Sequence, residues 1–147
     1  MLPATQGSRA ETETIMPADL SITITGIDKL VAKFGRVQSV RILEPPMYRA
    51  VYRLQRQMAQ YPPPPKGSKY RRTGTYGRRW TVKVESDGGG LLGRVGNNTW
   101  YAPIVGSAKF QAKIHQRTGW TTDQQAVQRE RSAIVKDFNA EIRRVLR

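Results

Sequence analysis

Apolar and polar residues first fall into a regular pattern at Leu20, Ile22 and Ile24, which alternate with Ser21, Thr23 and Thr25. A period of two predicts a short strand, ended by Gly26. Ile27, Leu30, Val31 and Phe34 then recur at the spacing of one helix face, which Gly35 stops or kinks. The stretch up to Leu43 is ambiguous, although Val37 and Val40 are compatible with a continued helix. Beyond it, Met47, Ala50, Val51, Leu54 and Met58 form an apolar stripe, with Arg49, Arg53 and Arg56 off it. That pattern predicts an amphipathic helix. Pro45 and Pro46 suit its first turn, where no intrahelical donor is missing. Four prolines at 62–65 end it and predict a stiff extended spacer, a composition that can also serve as a ligand for aromatic grooves.

The period returns to two at Trp80, Val82 and Val84, crosses the turn Ser86-Asp87-Gly88-Gly89-Gly90, and comes back through Leu91, Leu92 and Val95 to a second turn at Gly96-Asn97-Asn98. This predicts a β-hairpin over about residues 79–96. Residues 100–106 read as a short, mostly buried element, and residues 107–119 as a loop without a clear period. Thr122 and Gln125 have capping-box spacing and Asp123 sits favourably in a first turn, so a long helix is predicted from there to the C-terminus. Val127, Ile134, Phe138, Ile142 and Val145 mark its buried face, interrupted early by residues 129–131.

The fold these elements predict is α+β: a small antiparallel sheet centred on the hairpin and flanked by amphipathic helices, including the long C-terminal one. Residues 1–19 show neither period and read as a flexible N-terminal arm. Residues 20–147 read as a single domain in which the 62–65 spacer is an internal hinge.

Charge sharpens the picture. The 147 residues carry 25 Lys and Arg against 11 Asp and Glu, a net +14. Residues 45–84 alone contribute ten basic side chains and no acid, leaving +4 for everything else. Such a field attracts phosphates or acidic protein surfaces. The chain has no cysteine, so disulfides and thiolate metal sites are excluded. No apolar run approaches the roughly 18 to 20 residues of a membrane span, which predicts no membrane partner. The N-terminus lacks the pattern of a secretory signal, so the protein is expected to remain in the cell that makes it.

Catalytic chemistry finds little support. His115 is the single histidine, has no nucleophile motif near it, and reads as a solvated loop residue. No HExxH pattern or carboxylate cluster occurs. Asp137 and Glu141 on a basic helix are expected to pair with arginines. The glycines at 88–90 lack the lysine and hydroxyl of a phosphate-binding loop. No enzyme and no cofactor is expected.

Tyr70, Arg71, Arg72, Tyr76, Arg78, Arg79 and Trp80 interleave aromatics with arginines, the composition of a single-strand stacking surface. They sit at a turn rather than on several strands of a sheet. The favoured reading makes Tyr76 and Trp80 core or interface residues and turns the arginines toward an acidic partner. A nucleic-acid-binding protein acting through residues 66–83 is the alternative, with Lys66, Lys69, Arg71, Arg78, Arg79 and Lys83 as its basic surface.

Taken in order, Tyr61-Pro62-Pro63-Pro64, Arg72-Thr73-Gly74-Thr75-Tyr76-Gly77-Arg78, the run from Trp80 to Val84, Gly96-Asn97-Asn98 and Tyr101-Ala102-Pro103-Ile104-Val105 resemble a family of tailed-phage neck and tail-completion proteins. That family has an Arg-Thr-Gly-x-Leu turn leading into a strand, and a later Tyr-Ala-x-x-Val after a hairpin. The similarity runs from about Ile22 to the C-terminus. Tyr76 replaces the usual leucine, and Gly106-Ser107-Ala108 replaces the Glu-Phe-Gly that commonly follows the second motif. The resemblance implies a non-catalytic virion subunit assembled into a ring, commonly of about six, at the head-tail junction or the top of the tail. Its implied partners are further copies of itself, the adjacent connector or head-completion proteins and the tail-tube or tail-terminator proteins, with genome DNA passing through the lumen. Arg72, Thr73, Gly74, Tyr76, Trp80, Trp100 and Tyr101 are the implied interface residues, Gly74 allowing close approach of a neighbour and Trp80 and Tyr101 serving as anchors. Host cytoplasm during assembly and the virion neck or tail afterwards are the implied locations.

Overall fold

Trp80, Val82 and Val84 can share one side of a strand only if the chain returns in register beside them. In a computed structural model, which describes residues 19–24, 26–87 and 90–147, it does. Strand β2 (Trp80–Asp87) pairs antiparallel with β3 (Gly90–Asn97), from Trp80 opposite Asn97 to Asp87 opposite Gly90. Strand β1 (Leu20–Thr23) covers the other edge of β3, with Leu20 opposite Val95 and Thr23 opposite Leu92. The sheet order is therefore β1-β3-β2. On β3, Leu91, Gly93, Val95 and Asn97 alternate inward, as a sheet with one covered face requires.

Helix α1 (Asp28–Phe34) is separated from α2 (Arg36–Met58) by Gly35, at φ +76°. The long α2 is the centre of the molecule, lying against β2 and β3 and also against α6 (Asp123–Leu146). Its buried residues Val40, Leu43, Met47, Ala50, Val51, Leu54 and Met58 form one continuous stripe. Gly93 lets the sheet meet that stripe closely: a Cβ there would stand 2.5 Å from Met47 Sδ and 2.6 Å from Val51 Cγ1. Short helices α3 (Thr75–Arg78), α4 (Ala102–Gly106) and α5 (Lys113–Arg117) cluster beyond the hairpin's open end. The fold is α+β, as the hydrophobic pattern predicts.

Several local expectations are corrected. Pro45 and Pro46 lie inside α2 rather than in its first turn. The ambiguous stretch before them is helical because Val40 and Leu43 are buried on the same stripe as Met47. Strand β1 ends one residue before Ile24, and Asn97, assigned to a turn, is a buried strand residue. On α6, Ala126 is the buried contact in the first turns and Val127 is exposed. Ile134, Phe138, Ile142 and Val145 do face the core. The capping box is complete, with Thr122 Oγ1 accepting from Gln125 N and Gln125 Oε1 accepting from Thr122 N. Asp137 meets Arg49 and Arg53 across the α2–α6 seam, and Glu141 pairs with Arg144. Residues 107–119 contain α5 and are not a featureless loop. The arm expected at residues 1–19 lies, except for Asp19, outside the described residues, as do Thr25 and the Gly88-Gly89 turn.

Candidate assembly surface

Prolines 62–65 carry the chain away from the end of α2, Pro62 buried and the rest exposed. The chain returns at Gly74, whose φ of +77° is open to glycine but strained for a residue with a Cβ. That turn starts α3 and drives Tyr76 into the core at 5% exposure. Tyr76 is the hub of an aromatic cluster. Its ring lies edge-on to Trp80 and Trp120, both at 5.6 Å, and is tilted against Tyr61 at 6.4 Å and Tyr101 at 6.5 Å. Tyr61 and Trp120 also meet edge-to-face at 5.2 Å. Edge-to-face pairs at these separations are the preferred geometry of aromatic quadrupoles.

Polar contacts lock the cluster. Gly77 N donates to Tyr61 Oη at 2.8 Å, and buried Asn97 donates through Nδ2 to the Tyr76 carbonyl at 2.8 Å. The Asn97 Oδ1 accepts from Thr99 N and Oγ1, so one side chain ties the hairpin's end to α3 and to the following turn. The Arg72 guanidinium lies 5.6 Å from the centroid of Tyr61 and 5.1 Å from that of Trp120, and donates to the Pro62 carbonyl. This arginine therefore stacks on the cluster as a structural cation. Two buried atoms, Tyr76 Oη and Trp80 Nε1, lack a hydrogen-bond partner among the described residues. Burial pushes the Tyr76 hydroxyl well above the ordinary tyrosine range, and nearby Tyr61 adds to the shift.

The second motif segment closes against the first. Gly106 on α4 lies beneath the Tyr76 hydroxyl, where a Cβ would collide with Tyr76 Oη and approach Met58 Cε to 3.0 Å. Gln111 Nε2 donates to the carbonyls of Val105 and Trp120. His115, expected to be solvated, is half-buried instead: a ring nitrogen lies 2.9 Å from the Ile104 carbonyl and the ring sits edge-on to Trp120. The cause is the α5 turn, which carries the imidazole back over α4.

Between the two segments runs a groove of about 590 Å³, lined by Tyr70, Arg72, Thr73 and Thr75 from the first and by Trp100, Tyr101 and Ile104 from the second, together with Tyr76, His115 and Trp120. Trp100 is 78% exposed and Tyr70 76%, with Phe110 and Ile114 also largely exposed nearby in the chain. The expectation that residues 100–106 are mostly buried is thus corrected at its first residue, while Ala102, Val105 and Gly106 are buried. Of the implied interface residues, Tyr76 and Trp80 are core, Arg72 is half-buried, and Thr73, Gly74, Trp100 and Tyr101 reach the groove or its edge. Sequence reasoning missed Trp120, and it placed Tyr61, Asn97 and Gly106 within the compared segments without giving them a role, because those roles depend on contacts remote in the chain. Tyr61 beside the proline run and Trp120 beside the helix cap are the positions a local reading could have marked.

Lys66, Lys69, Arg71, Arg78, Arg79 and Lys83 are all exposed. Arg78 donates to the Thr73 carbonyl and Lys83 pairs with Glu85. Because Tyr76 and Trp80 are buried and Arg72 is stacked, the interleaved run presents only Tyr70 as a free aromatic face among those arginines. Among the described residues no group of three or more His, Cys, Asp or Glu side chains is placed to hold a metal ion, and no helix is long and apolar enough to cross a membrane. No family model, curated protein or solved structure matches the chain.

Proposed function

We propose that the chain is a virion structural protein of a tailed bacteriophage, forming a ring at the neck or the top of the tail that joins or completes the tail and lets DNA pass. The observation that carries this reading is the convergence of the two motif segments. Residues 72–78 and 101–105 are separated by the whole hairpin, yet meet on the Tyr76 cluster and frame one groove with Trp100 and Tyr70 exposed beside it. Exposed aromatics around a well-anchored apolar groove are what a subunit interface requires.

The alternative, a basic nucleic-acid-binding protein working through residues 66–83, is weakened by the burial of Tyr76 and Trp80 and by the stacking of Arg72. Sedimentation velocity at ~50 and ~200 mM salt, with and without short DNA, separates the two. Binding through six or more phosphates weakens by orders of magnitude across that range, whereas an interface with a desolvated apolar centre changes little. A discrete oligomer of the 16.6 kDa chain, indifferent to DNA at ~200 mM salt, is the expected outcome. A monomer or dimer that binds DNA saturably at that salt would overturn the proposal.

A further inference from the structure

Strand β2 forms an edge of the sheet, with β3 as its one strand neighbour among the described residues. Val82 and Val84 pack on the core from this strand and yet are only half-buried, whereas Val95, opposite Val82, is fully buried. An edge of eight residues is a template for a further strand.

Helix α2 presents a second feature on the same side. Its Gln55 donates to the Trp80 carbonyl at 2.9 Å, and its Val37, Arg41 and Glu44 line a hollow with Ser86, so one flank of the helix follows β2 along its length. The opposite flank, with Arg53 and Gln57, meets α6. Tyr48 and Tyr52, both exposed, fall on the β2 flank at helical spacing from Arg41, Glu44 and Gln55. They are also level with the middle of the strand: Val84 opposes Gly93, and Gly93 abuts Met47 and Val51, the residues just before the two tyrosines.

Charge selects the partner and the register. Residues directly opposite in an antiparallel pair point to the same face, so a two-fold axis between two β2 edges must pass through one residue and its copy. Centred on Lys83, it sets base against base; centred on Glu85, acid against acid. Centred on Val84, it sets each Lys83 opposite the partner's Glu85. Within one chain Lys83 already pairs with Glu85 and holds its carboxyl below the usual carboxylate range, so both charges are present at neutral pH. We propose that a second copy of this chain pairs antiparallel along the edge of β2 about a two-fold axis through Val84, joining the two sheets into one and bringing the Tyr48 and Tyr52 pairs of both α2 helices together over the seam. Such a contact is isologous and closes at two copies.

This inference does not rest on the groove or on a virion role, since Lys83, Glu85, Tyr48 and Tyr52 line no part of the groove. Sedimentation equilibrium at ~50 mM salt, where exposed charges are least screened, tests it on the full chain. Lys83→Glu leaves acid facing acid at both crossings and Glu85→Lys leaves base facing base, so each variant alone should self-associate about tenfold or more weakly than wild type. An equimolar mixture of the two variants restores both opposite-charge crossings and should recover the wild-type affinity, as should the double exchange Lys83→Glu with Glu85→Lys in one chain. Recovery in the mixture also shows that each variant is folded. Tyr48→Ala with Tyr52→Ala, at exposed positions, should weaken the association as well. A wild-type chain that stays monomeric at about 100 μM, where even a weak specific dimer is populated, would overturn the inference. So would association that neither charge variant weakens, or a mixture no tighter than its components. Those failures leave the groove and the ring reading standing, because no variant alters the groove.

Discussion

Tyr76 is the residue on which the aromatic cluster turns. Its hydroxyl is buried beside Trp80 with no hydrogen-bond partner among the described residues, and burial raises its pKa above that of a free tyrosine. Below pH ~10 the phenol keeps its proton in both the folded and unfolded chain. As pH rises past that value the unfolded chain loses this proton while the folded one retains it, so stability must fall, by up to about 1.4 kcal/mol per pH unit. Urea titrations of wild type and Tyr76→Phe should coincide below pH ~9 and diverge above ~10, the wild type falling faster; parallel curves would contradict the assignment. At neutral pH the variant should lie within about 1 kcal/mol of wild type, because the contact of the hydroxyl with Trp80 Nε1 falls short of hydrogen-bond geometry. Gly93 makes a second residue-scale prediction. Gly93→Ala drives a methyl into Met47 and Val51 and should cost about 1–3 kcal/mol, seen as a lower urea midpoint with an unchanged slope. Neither residue announces itself in the sequence. Gly93 reads as one more strand glycine, and only the crossing of α2 over β3 explains it.

At the scale of elements, legibility depended on whether the deciding contact is local. The hairpin and the α6 capping box are local, so alternation and a Thr-x-x-Gln spacing suffice to place them. The start of α2 is not. An interior proline costs about 3 kcal/mol, which argues for starting the helix at Pro45. Burying a large apolar side chain contributes about 1.5–3 kcal/mol, and α2 buries Val40 and Leu43 before the prolines and Met47 after them. Tertiary burial outweighs the local penalty, and the helix runs through. The same reasoning covers Val127 and Ala126: the apolar period marks a face, but the close approach of a neighbour selects the smaller residue. At the other end of α6, Lys33 Nζ donates to the carbonyls of Val145 and Arg147, placing a cation where the helix dipole favours one. Thr122→Ala should cost about 1 kcal/mol and raise hydrogen exchange in the first turn of α6 before the rest of the helix. Unchanged protection there would show that Asp123, whose Oδ1 accepts from Ala108 N and Gln124 N, holds the turn alone.

For the molecule as a whole, the sequence makes the α+β class and the basic third visible, but not the aromatic cluster. Tyr61, Tyr76, Tyr101 and Trp120 come from four separated segments, and the connections that join them are short helices without a period of their own. Their convergence turns a motif order into a shaped surface with exposed aromatics beside it. The acids on α6 that neutralise α2 are themselves consumed: Arg53 faces Glu130 at 3.6 Å and Asp137 at 3.4 Å, and Gln57 donates to Glu130. The excess positive charge therefore stays on the outside, around residues 66–83, available to an acidic neighbour. If the proposed virion role holds, the protein is built into a virus particle, and quantitative mass spectrometry of tailed particles purified from a culture producing this chain decides it. The expected result is a fixed, low copy number per particle, about that of one ring of six, retained after nuclease treatment and a high-salt wash. Particles that are intact and infectious but lack the chain, while the same lysate contains it in quantity, would overturn the virion role.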